Sequence, residues 1–520
     1  MGAPSMWLEI IVLVGATWAI TTIVNSFYQS KTGLPRVGIN PGPFFLRTWW
    51  ARWKWYKRGH EDVIRKYEQS KNTNYVIQTL MGDTVVLAPK FLNELNMLPE
   101  SKLSSTAALV DSVMGQYNGV DLLLQDHLTS DICRGPFMRN LPTFVPRMDQ
   151  ELNAVMAEQL GQSTVESPVV CIAYELFFSF IHRISSLVFV GKAYCYNSIW
   201  TSAVTALPID VEITKFLLLP FPNFLRRFIA PLIPQRNRIF SNRAAVRDLL
   251  FPPSEKITVK EEPSVMKLLI ESGKDTNSGS ITARLLLLTA AAVRLCRQGQ
   301  VRSVADSVTS SASHIVHGDN TRDIRSLRHA RIRRALRSEV QRALAQDNGE
   351  WQLSTIKKLR RLDSFLKESQ RVNQSTFLGF DRKVVSPIKL SDGKTVLPRG
   401  ASIVIPGGPM SRDSTFYDNP QHFDGLRFYR PDEDDIGSTN TQQDYTGIEP
   451  GNLSWGNGRF TCPGRWYAAA MIKLIVANLL LDYDISFPPD QTERPPNVKY
   501  DTEVHPDFEQ KIVLKKRRGA

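Results

Sequence analysis

Apolar residues recur at helical spacing along most of the chain. The periodicity is clearest in four segments, residues 61–69, 148–160, 173–190 and 466–483. No internal repeat and no segment of linker composition interrupts the body of the chain. The pattern therefore predicts one large, mainly α-helical domain.

Short strand patterns occur in two places. Residues 75–80 and 84–87 flank Met81-Gly82-Asp83, and residues 383–390 and 395–404 flank Ser391-Asp392-Gly393. Short β-rich runs joined by a few residues that include glycine are typical of β-hairpins. The predicted fold class is therefore mainly α with small β-sheets.

An apolar segment near the N-terminus, residues 6–27, is about long enough to cross a bilayer as a helix. A cleaved signal peptide opens with basic residues, whereas the first basic residue here is Lys31. The basic residues that follow predict a retained anchor over residues 1–30, with the body, residues 31–520, in the cytosol. Glu9 and Asn25 interrupt the apolar run, so a buried core helix stays open as the alternative.

Composition excludes several classes of protein. The 520 residues are 42% hydrophobic and 22% charged, which excludes a disordered or collagen-like chain. Five cysteines, at positions 133, 171, 195, 296 and 462, are odd in number and widely spaced. This spacing argues against a disulfide framework or a structural zinc site, and predicts a domain that faces a reducing compartment.

The net charge of +13 is unevenly distributed. Residues 292–342 hold eleven arginines, no lysine and four acidic residues, and so supply +7 of that charge. A basic segment of this kind is a candidate surface for anionic lipid or RNA.

The most informative motif is residues 455–465, which read WGNGRFTCPGR and precede a helix that is apolar almost all round. Gly456, Gly458 and Gly464 allow positive φ and close approach of the backbone to a flat ligand. Cys462 lies just before the predicted helix, whose positive end favours a thiolate. A thiolate held in this way is a soft metal ligand, and it is the kind that holds haem iron in one class of enzymes. An inert, buried cysteine is the alternative.

This loop resembles the haem-binding loop of the cytochrome P450 family, in particular its membrane-bound fungal members. The resemblance implies haem b as the cofactor, with Cys462 as its axial iron ligand and with Gly458, Gly464 and Arg459 in the cofactor-binding loop. Family members usually place Arg or His two residues before the cysteine to meet a haem propionate. Here that position is Phe460, and the arginine is its neighbour, Arg459.

Two further segments carry the resemblance. Glu368 and Arg371 share one face of a predicted helix, and Arg427 lies in the segment FDGLRF. In the family, the corresponding residues form a buried triad that supports the haem loop, and a buried ion pair does need additional hydrogen bonds of this kind. Glu339 and Arg342 repeat the spacing of Glu368 and Arg371, and are predicted to lie on a solvated face.

Weaker resemblances leave alternatives open. Arg134 falls where the family's C helix meets the haem, so it is either a propionate partner or a surface arginine. Residues 377–380, Phe-Leu-Gly-Phe, fall where family members line the substrate pocket, and are equally compatible with the core.

The resemblance is lost in residues 292–335. The family continues there along a central helix whose acid and hydroxyl residues relay protons during oxygen activation. Laying the chain on that pattern puts Arg294 and Leu295 at those two positions. Leucine has no exchangeable proton, and arginine stays protonated, so no catalytic residue is identified in this helix.

Two hypotheses account for residues 292–335. The segment is rich in serine and arginine and lacks apolar periodicity for most of its length, which favours translation out of frame with the frame restored near Ala335. The alternative is a basic surface that binds anionic lipid or RNA. Because no aromatic residue is interleaved to stack on bases, we expect no nucleic acid partner.

The resemblance implies a haem-thiolate monooxygenase in the endoplasmic reticulum membrane. Such an enzyme takes electrons from NADPH-cytochrome P450 reductase and uses O2 to oxidise an apolar small molecule. Resemblance to fungal members suggests a terpenoid, meroterpenoid or indole-diterpene intermediate. The alternative is an inactive product whose central helix is disrupted.

Overall fold

The computed structural model describes residues 32–39, 45–252, 262–297, 320–431, 443–491 and 495–518. The predicted anchor, residues 6–27, lies outside these ranges. The α-helices in the described ranges are α1 (Phe45–Gln69), α2 (Leu92–Met97), α3 (Ser105–Ser112), α4 (Leu128–Ile132), α5 (Leu141–Leu160), α6 (Ala173–Val190), α7 (Ser198–Leu218), α8 (Asn223–Ile229), α9 (Pro234–Leu250), α10 (Val265–Glu271), α11 (Ser278–Arg297), α12 (Asn320–Gln346), α13 (Leu353–Lys358), α14 (Arg360–Val372), α15 (Gly407–Met410) and α16 (Arg465–Asp482).

The described strands form four small sheets. The strands are β1 (Tyr75–Thr79), β2 (Gly82–Val86), β3 (Leu103–Ser104), β4 (Val169–Ile172), β5 (Gly379–Val384), β6 (Ile388–Lys389), β7 (Val396–Leu397), β8 (Ser402–Ile405), β9 (Tyr483–Ser486), β10 (Val498–Tyr500), β11 (Glu503–His505) and β12 (Lys511–Lys516). The largest sheet has the order β1-β2-β8-β5-β3, and β4-β12-β9 form the next. The pairs β6-β7 and β10-β11 stand apart.

The predicted helices are confirmed, two of them with earlier starts. Helix α6 has the predicted bounds, and α16 differs from its prediction by one residue at each end. Helix α1 begins at Phe45 rather than residue 61, and α5 begins at Leu141 rather than residue 148. The added turns were missed because α1 begins with a run of tryptophan and basic residues, and because α5 contains two prolines early in its length.

The first predicted hairpin is confirmed, and the second is only partly right. Strands β1 and β2 pair in antiparallel register, with Tyr75 opposite Val86. The Ser391-Asp392-Gly393 turn joins only the short strands β6 and β7, while β5 pairs with β8 outside them. Pro387 lies between β5 and β6 and has no N–H for a ladder, so the strand breaks there.

The core is built around α16. This helix is buried on nearly all sides, and α5, α6, α12 and α14 contribute to the same apolar cluster. Helix α6 is the only described helix that is long and apolar enough to cross a membrane, but 72% of it is buried inside the protein. It is therefore a core helix.

Glu339 on α12 corrects one sequence expectation. It was predicted on a solvated face, yet only 8% of the residue is exposed. Its carboxylate accepts the backbone N–H groups of Arg361, at 2.7 Å, and Leu362, at 3.0 Å. Glu339 therefore satisfies free donors at the start of α14. Leu336 and Val340 beside it are fully buried, so ordinary core packing is in place by residue 336.

Candidate functional site

Backbone hydrogen bonds between residues at its two ends close the Cys462 loop. The N–H of Cys462 donates to the carbonyl of Trp455 at 2.8 Å, and the N–H of Gly456 donates to Leu453 at 2.9 Å. The indole N–H of Trp455 in turn donates to the carbonyl of Tyr445 at 2.8 Å. These bonds hold the loop against the core immediately before α16.

Two of the three loop glycines have the backbone conformation expected. Gly456 has φ +77° and Gly458 has φ +66°, and a Cβ at Gly458 would lie 2.6 Å from Oδ1 of Asn96. Gly464 instead has φ −93° and ψ 7°. The expectation of positive φ was therefore wrong for Gly464, because this residue already turns into α16. A Cβ at Gly464 would meet no described atom within 4 Å.

The thiol of Cys462 lies where the loop enters α16. Burial raises the pKa of the thiol, whereas the neighbouring backbone N–H groups of Gly464 and Arg465 and the Arg465 guanidinium act to lower it. The loop thus directs donors and a positive charge at the sulfur, an arrangement that stabilises a thiolate metal ligand.

The structure brings Arg134 to this loop. Arg134 follows α4, and its Nη2 donates to the carbonyl of Arg459 at 2.9 Å. The side chains of Arg134 and Arg459 are both exposed. The preceding residue, Cys133, is buried in the core, so the segment after α4 is fixed against the loop.

Sequence reasoning missed Arg382, on β5. Only 5% of this residue is exposed, and its guanidinium lies 4.0 Å from the centroid of the Phe380 ring and 4.9 Å from that of Phe460. Nη1 donates to the carbonyl of Asp381 at 2.8 Å. The Nε and Nη2 atoms of Arg382 are buried, and neither has a hydrogen-bond partner among the described residues. Burial lowers the pKa of Arg382 to about 10.

The two unpaired guanidinium nitrogens of Arg382 favour the binding of an anionic group. Leaving a buried charged donor unsatisfied is costly, so such groups usually meet a ligand or an ion. A haem carries propionate carboxylates and an iron that accepts a thiolate, and it would meet both Arg382 and Cys462. The sequence contained only an indirect sign of this residue: Phe460 occupies the loop position that is usually basic in the family. The structure places Arg382 over the Phe460 ring.

Glu368 and Arg371 form a fully buried pair on α14. Arg371 Nε lies 2.7 Å from Glu368 Oε2, Nη2 lies 2.8 Å from Oε1, and both side chains are 0% exposed. Arg371 Nη1 donates to the carbonyls of Ser411, at 2.6 Å, and Pro420, at 2.8 Å. The pair therefore ties α14 to the chain that follows α15.

Arg427 completes this cluster. Its Nε lies 3.0 Å from Glu368 Oε2, and its Nη2 donates to the carbonyl of His422 at 2.8 Å. The N–H of Asp424 also donates to Glu368, at 2.9 Å. One buried carboxylate thus receives two guanidinium groups and a backbone donor, the hydrogen-bonded environment that a buried charge requires.

The remaining sequence candidates are residues 377–380 and helix α11. Phe380 lies against the Arg382 guanidinium, which also contacts Phe460 of the Cys462 loop. Phe377 is 8% exposed and its ring lies 4.7 Å from that of His60, so it packs in the core. The backbone of α11 is helical through Arg297, but the side chains of Arg294 and Leu295 lie outside the described residues.

Similar proteins point to one family. The family model for cytochrome P450 matches residues 326–506. The cytochrome P450 monooxygenase janP of Penicillium janthinellum is 30% identical over 87% of this chain and 84% of its own length. The ent-kaurene oxidase of Gibberella intermedia is 28% identical over 99% of this chain and 94% of its own length.

A solved structure shares the fold. The retinoic acid-bound cyanobacterial CYP120A1 superposes with a TM-score of 0.66 over 94% of this chain and 100% of its own, at 17% sequence identity. The mainly helical architecture with small sheets is therefore confirmed as the P450 fold. The family's enzymes are monooxygenases with a haem-thiolate iron cofactor, O2 and a redox partner. The chain belongs to the cytochrome P450 family of monooxygenases.

Proposed function

We propose that this chain is a haem-thiolate monooxygenase that oxidises an apolar small molecule of fungal secondary metabolism. A terpenoid, meroterpenoid or indole-diterpene intermediate is the proposed substrate class. Fungal relatives support this class, one of which is named ent-kaurene oxidase. The haem itself supplies the activation of O2 and the insertion of one oxygen atom.

In this proposal, the chain's own residues bind and orient the haem. Cys462 donates its thiolate to the iron, within the loop that contains Gly458 and Gly464. Arg382 pairs with a propionate through its unsatisfied Nε and Nη2. Arg134 and Arg459 lie at the same loop and provide further positive charge. Glu368, Arg371 and Arg427 stabilise the fold behind the loop and contact no reacting atom.

The proposed cellular setting follows from the N-terminal sequence. Residues 1–30 anchor the chain in the endoplasmic reticulum membrane, and residues 31–520 form the catalytic domain on the cytosolic side. Electrons come from NADPH-cytochrome P450 reductase, whose access requires that side. The family's general use of a redox partner supports this assignment.

The observation that carries the proposal is the Cys462 loop, which the Cys462 N–H closes by donating to the Trp455 carbonyl at 2.8 Å and which places the cysteine just before α16. The test is the carbon monoxide difference spectrum of the reduced, membrane-expressed chain. We expect a thiolate-type Soret band that Cys462→Ala abolishes and that the matched control Cys171→Ala retains. A band of equal size in Cys462→Ala would contradict the proposed ligand.

A second candidate is a chain that binds haem but turns over poorly. It is favoured by the sequence alignment that puts Arg294 and Leu295 where the family has its proton-relay residues. Sequencing the transcript across residues 292–335 tests the frame hypothesis directly. An in-frame read that encodes these same residues, combined with product formation by the purified chain, would exclude the impaired form.

A further inference from the structure

Large apolar side chains are exposed on the first half of α1, on α8 and on the chain just after α8. Single exposed apolar residues are ordinary, but a group of them on adjoining elements marks a surface that binds a partner or a membrane. The group, with exposed fractions between 44% and 77%, consists of Trp50, Trp53, Phe224, Phe228 and Leu232. We call it the α1–α8 surface.

Packing joins the two parts of this surface. The Trp53 ring lies 5.8 Å from the ring of Tyr56, on the next turn of α1. Tyr56 in turn packs in one apolar cluster with Leu218, at the end of α7, and with Ile229, at the end of α8. The exposed aromatic residues of α1 therefore adjoin those of α8.

The segments that carry these side chains are strongly basic. Residues 45–60 contain five lysines and arginines, residues 223–247 contain six arginines, and neither segment contains Asp or Glu. The guanidinium of Arg227 lies 4.6 Å from the centroid of the Phe228 ring. Basic residues interleaved with exposed aromatic ones are typical of surfaces that lie on an anionic bilayer.

Arg52 lies within the basic segment of α1, and its charge is not neutralised by a described carboxylate. Its Nε is buried and has no hydrogen-bond partner among the described residues. Asp83 acts on it electrostatically, but the two oxygens of Asp83 bind Arg36 at 2.7 and 2.6 Å. A buried donor of a charged group that lacks a partner favours the binding of an anion.

Arg226, on α8, is the second cation at this place. Its Nε donates to the carbonyls of Leu218, at 3.1 Å, and Phe221, at 2.7 Å, and it forms no ion pair within the described ranges. Burial lowers the pKa of Arg52, and the charge of Arg226 lowers it further. Two neighbouring guanidinium groups that repel each other both gain from one anion that accepts hydrogen bonds from the pair.

The covalent chain keeps this pair close to the proposed membrane anchor. Arg36 is fixed on the body by its ion pair with Asp83 and by a backbone bridge to Val76, on β1. With residues 6–27 in the bilayer, Arg36 follows the end of the anchor by nine positions. Nine residues span at most about 30 Å, so the body cannot move far from the lipid headgroups.

We infer that the α1–α8 surface docks on the bilayer and that Arg52 and Arg226 together bind the phosphate of an anionic phospholipid. The inference rests on the membrane anchor of the proposed function, and it deepens it by naming a second membrane contact and its lipid class. A phospholipid offers a phosphate and hydrocarbon at one place, which matches the pair of cations and the exposed aromatic rings beside it.

The test measures which lipid the full chain retains. The purified chain is exchanged into detergent micelles that contain equimolar dioleoyl phosphatidic acid and dioleoyl phosphatidylcholine, and native mass spectrometry counts the bound lipids. The two lipids share their acyl chains and differ in headgroup charge, so their ratio isolates the charge. Each basic residue near an anionic lipid favours it about fivefold, and we expect the two arginines together to favour phosphatidic acid about 25-fold.

Variants determine whether the two arginines are responsible. Arg52→Gln and Arg226→Gln are each expected to reduce the preference about fivefold, and Arg52→Lys is expected to keep most of it. Arg65→Gln, at an exposed position on the same helix α1, is the matched control and should leave the ratio unchanged. An unchanged ratio in Arg52→Gln would overturn the inference. If Arg226→Gln does not fold, Arg52→Gln decides, because Arg52 donates no hydrogen bond to a described residue.

Other occupants of the surface give different results in the same spectra. Phe228→Ser should lower the retention of both lipids alike and leave their ratio unchanged. A dimer of the unmodified chain that Phe228→Ser abolishes would assign the surface to a second copy and overturn the inference. Displacement of phosphatidic acid by an excess of inorganic phosphate would indicate a site for free anions, and would overturn it too.

Carbonate extraction of the expressed membranes separates this inference from the proposed anchor. Release of the chain by carbonate, together with a lipid preference that depends on Arg52, removes the anchor and leaves the lipid site. Retention of the chain in the membranes, together with equal binding of both lipids, removes the lipid site and leaves the anchor. The carbon monoxide spectrum tests the haem proposal independently of both.

Discussion

The guanidinium of Arg382 lies 4.9 Å from the centroid of the Phe460 ring. Phe460 stands two residues before Cys462 in the sequence. Relatives usually place a basic side chain at that position of the loop. In this chain that position is the aromatic Phe460, and the guanidinium of Arg382, from β5, lies over its ring. The cation that lies over the Phe460 ring thus comes from a strand 78 residues earlier in the sequence.

Removing the Arg382 charge should weaken haem binding. We expect Arg382→Gln to raise the haem dissociation constant about tenfold or more, because it removes charge-assisted hydrogen bonds to a propionate. Transfer of haem to apomyoglobin measures the effect. Arg399→Gln, at an exposed position after β7, should leave transfer unchanged. Unaltered transfer in Arg382→Gln would show that Arg382 does not contact haem.

Glu368→Gln should destabilise the fold strongly. The substitution leaves the buried Arg371 and the partly buried Arg427 without their shared carboxylate, a loss of about 3–5 kcal/mol in the free energy of unfolding. Urea denaturation followed by circular dichroism gives the value. Glu166→Gln, at an exposed position without a hydrogen bond from its side chain to a described residue, is the control. A loss below 1 kcal/mol would mean that water or other groups replace the carboxylate.

Glu339 should make stability depend on pH. Burial raises its pKa from 4.5 to about 7, although backbone donors and Lys473 oppose the shift. The folded state then binds a proton that the unfolded state has released between these two pH values, so stability falls as pH rises from about 4.5 to 7. The change is about 3 kcal/mol, at 1.36 kcal/mol per pKa unit.

Denaturation midpoints measured across pH 4.5 to 8 test this dependence. Glu339→Gln should flatten the curve, whereas the exposed Glu350→Gln should reproduce the original slope. Identical slopes in Glu339→Gln and the unmodified chain would show that another group is responsible.

Lys473 and Asp363 should be strongly coupled. Their side chains form an ion pair of 2.7 Å between α16 and α14 and are 4% and 8% exposed. Lys473→Met leaves Asp363 buried without its partner, and we expect a loss of about 3–5 kcal/mol in the free energy of unfolding. Adding Asp363→Leu should recover most of that loss in a double-mutant cycle. Additive losses would indicate that the two residues act independently, and the exposed Lys394→Met is the control.

Local sequence patterns predicted the elements that depend on neighbouring residues. Helix α6 has the predicted bounds because its apolar periodicity runs without a break from Ala173 to Val190. The hairpin of β1 and β2 was predicted because its two strands are joined by a short turn. The second hairpin was predicted as two continuous strands, and what was missed is the interruption between the outer pair β5–β8 and the inner pair β6–β7.

The sequence by itself determined the fold class, the position of Cys462 before a helix, and the candidate triad, because residue periodicity and short motifs express these features within a few turns of chain. Only the tertiary structure decided which distant charges meet. Arg382 lies at the Cys462 loop, and Glu339 lies beneath α14 rather than in solvent. Burial and pairing of a charge depend on what the fold packs around it, and a single sequence does not encode that in any local pattern.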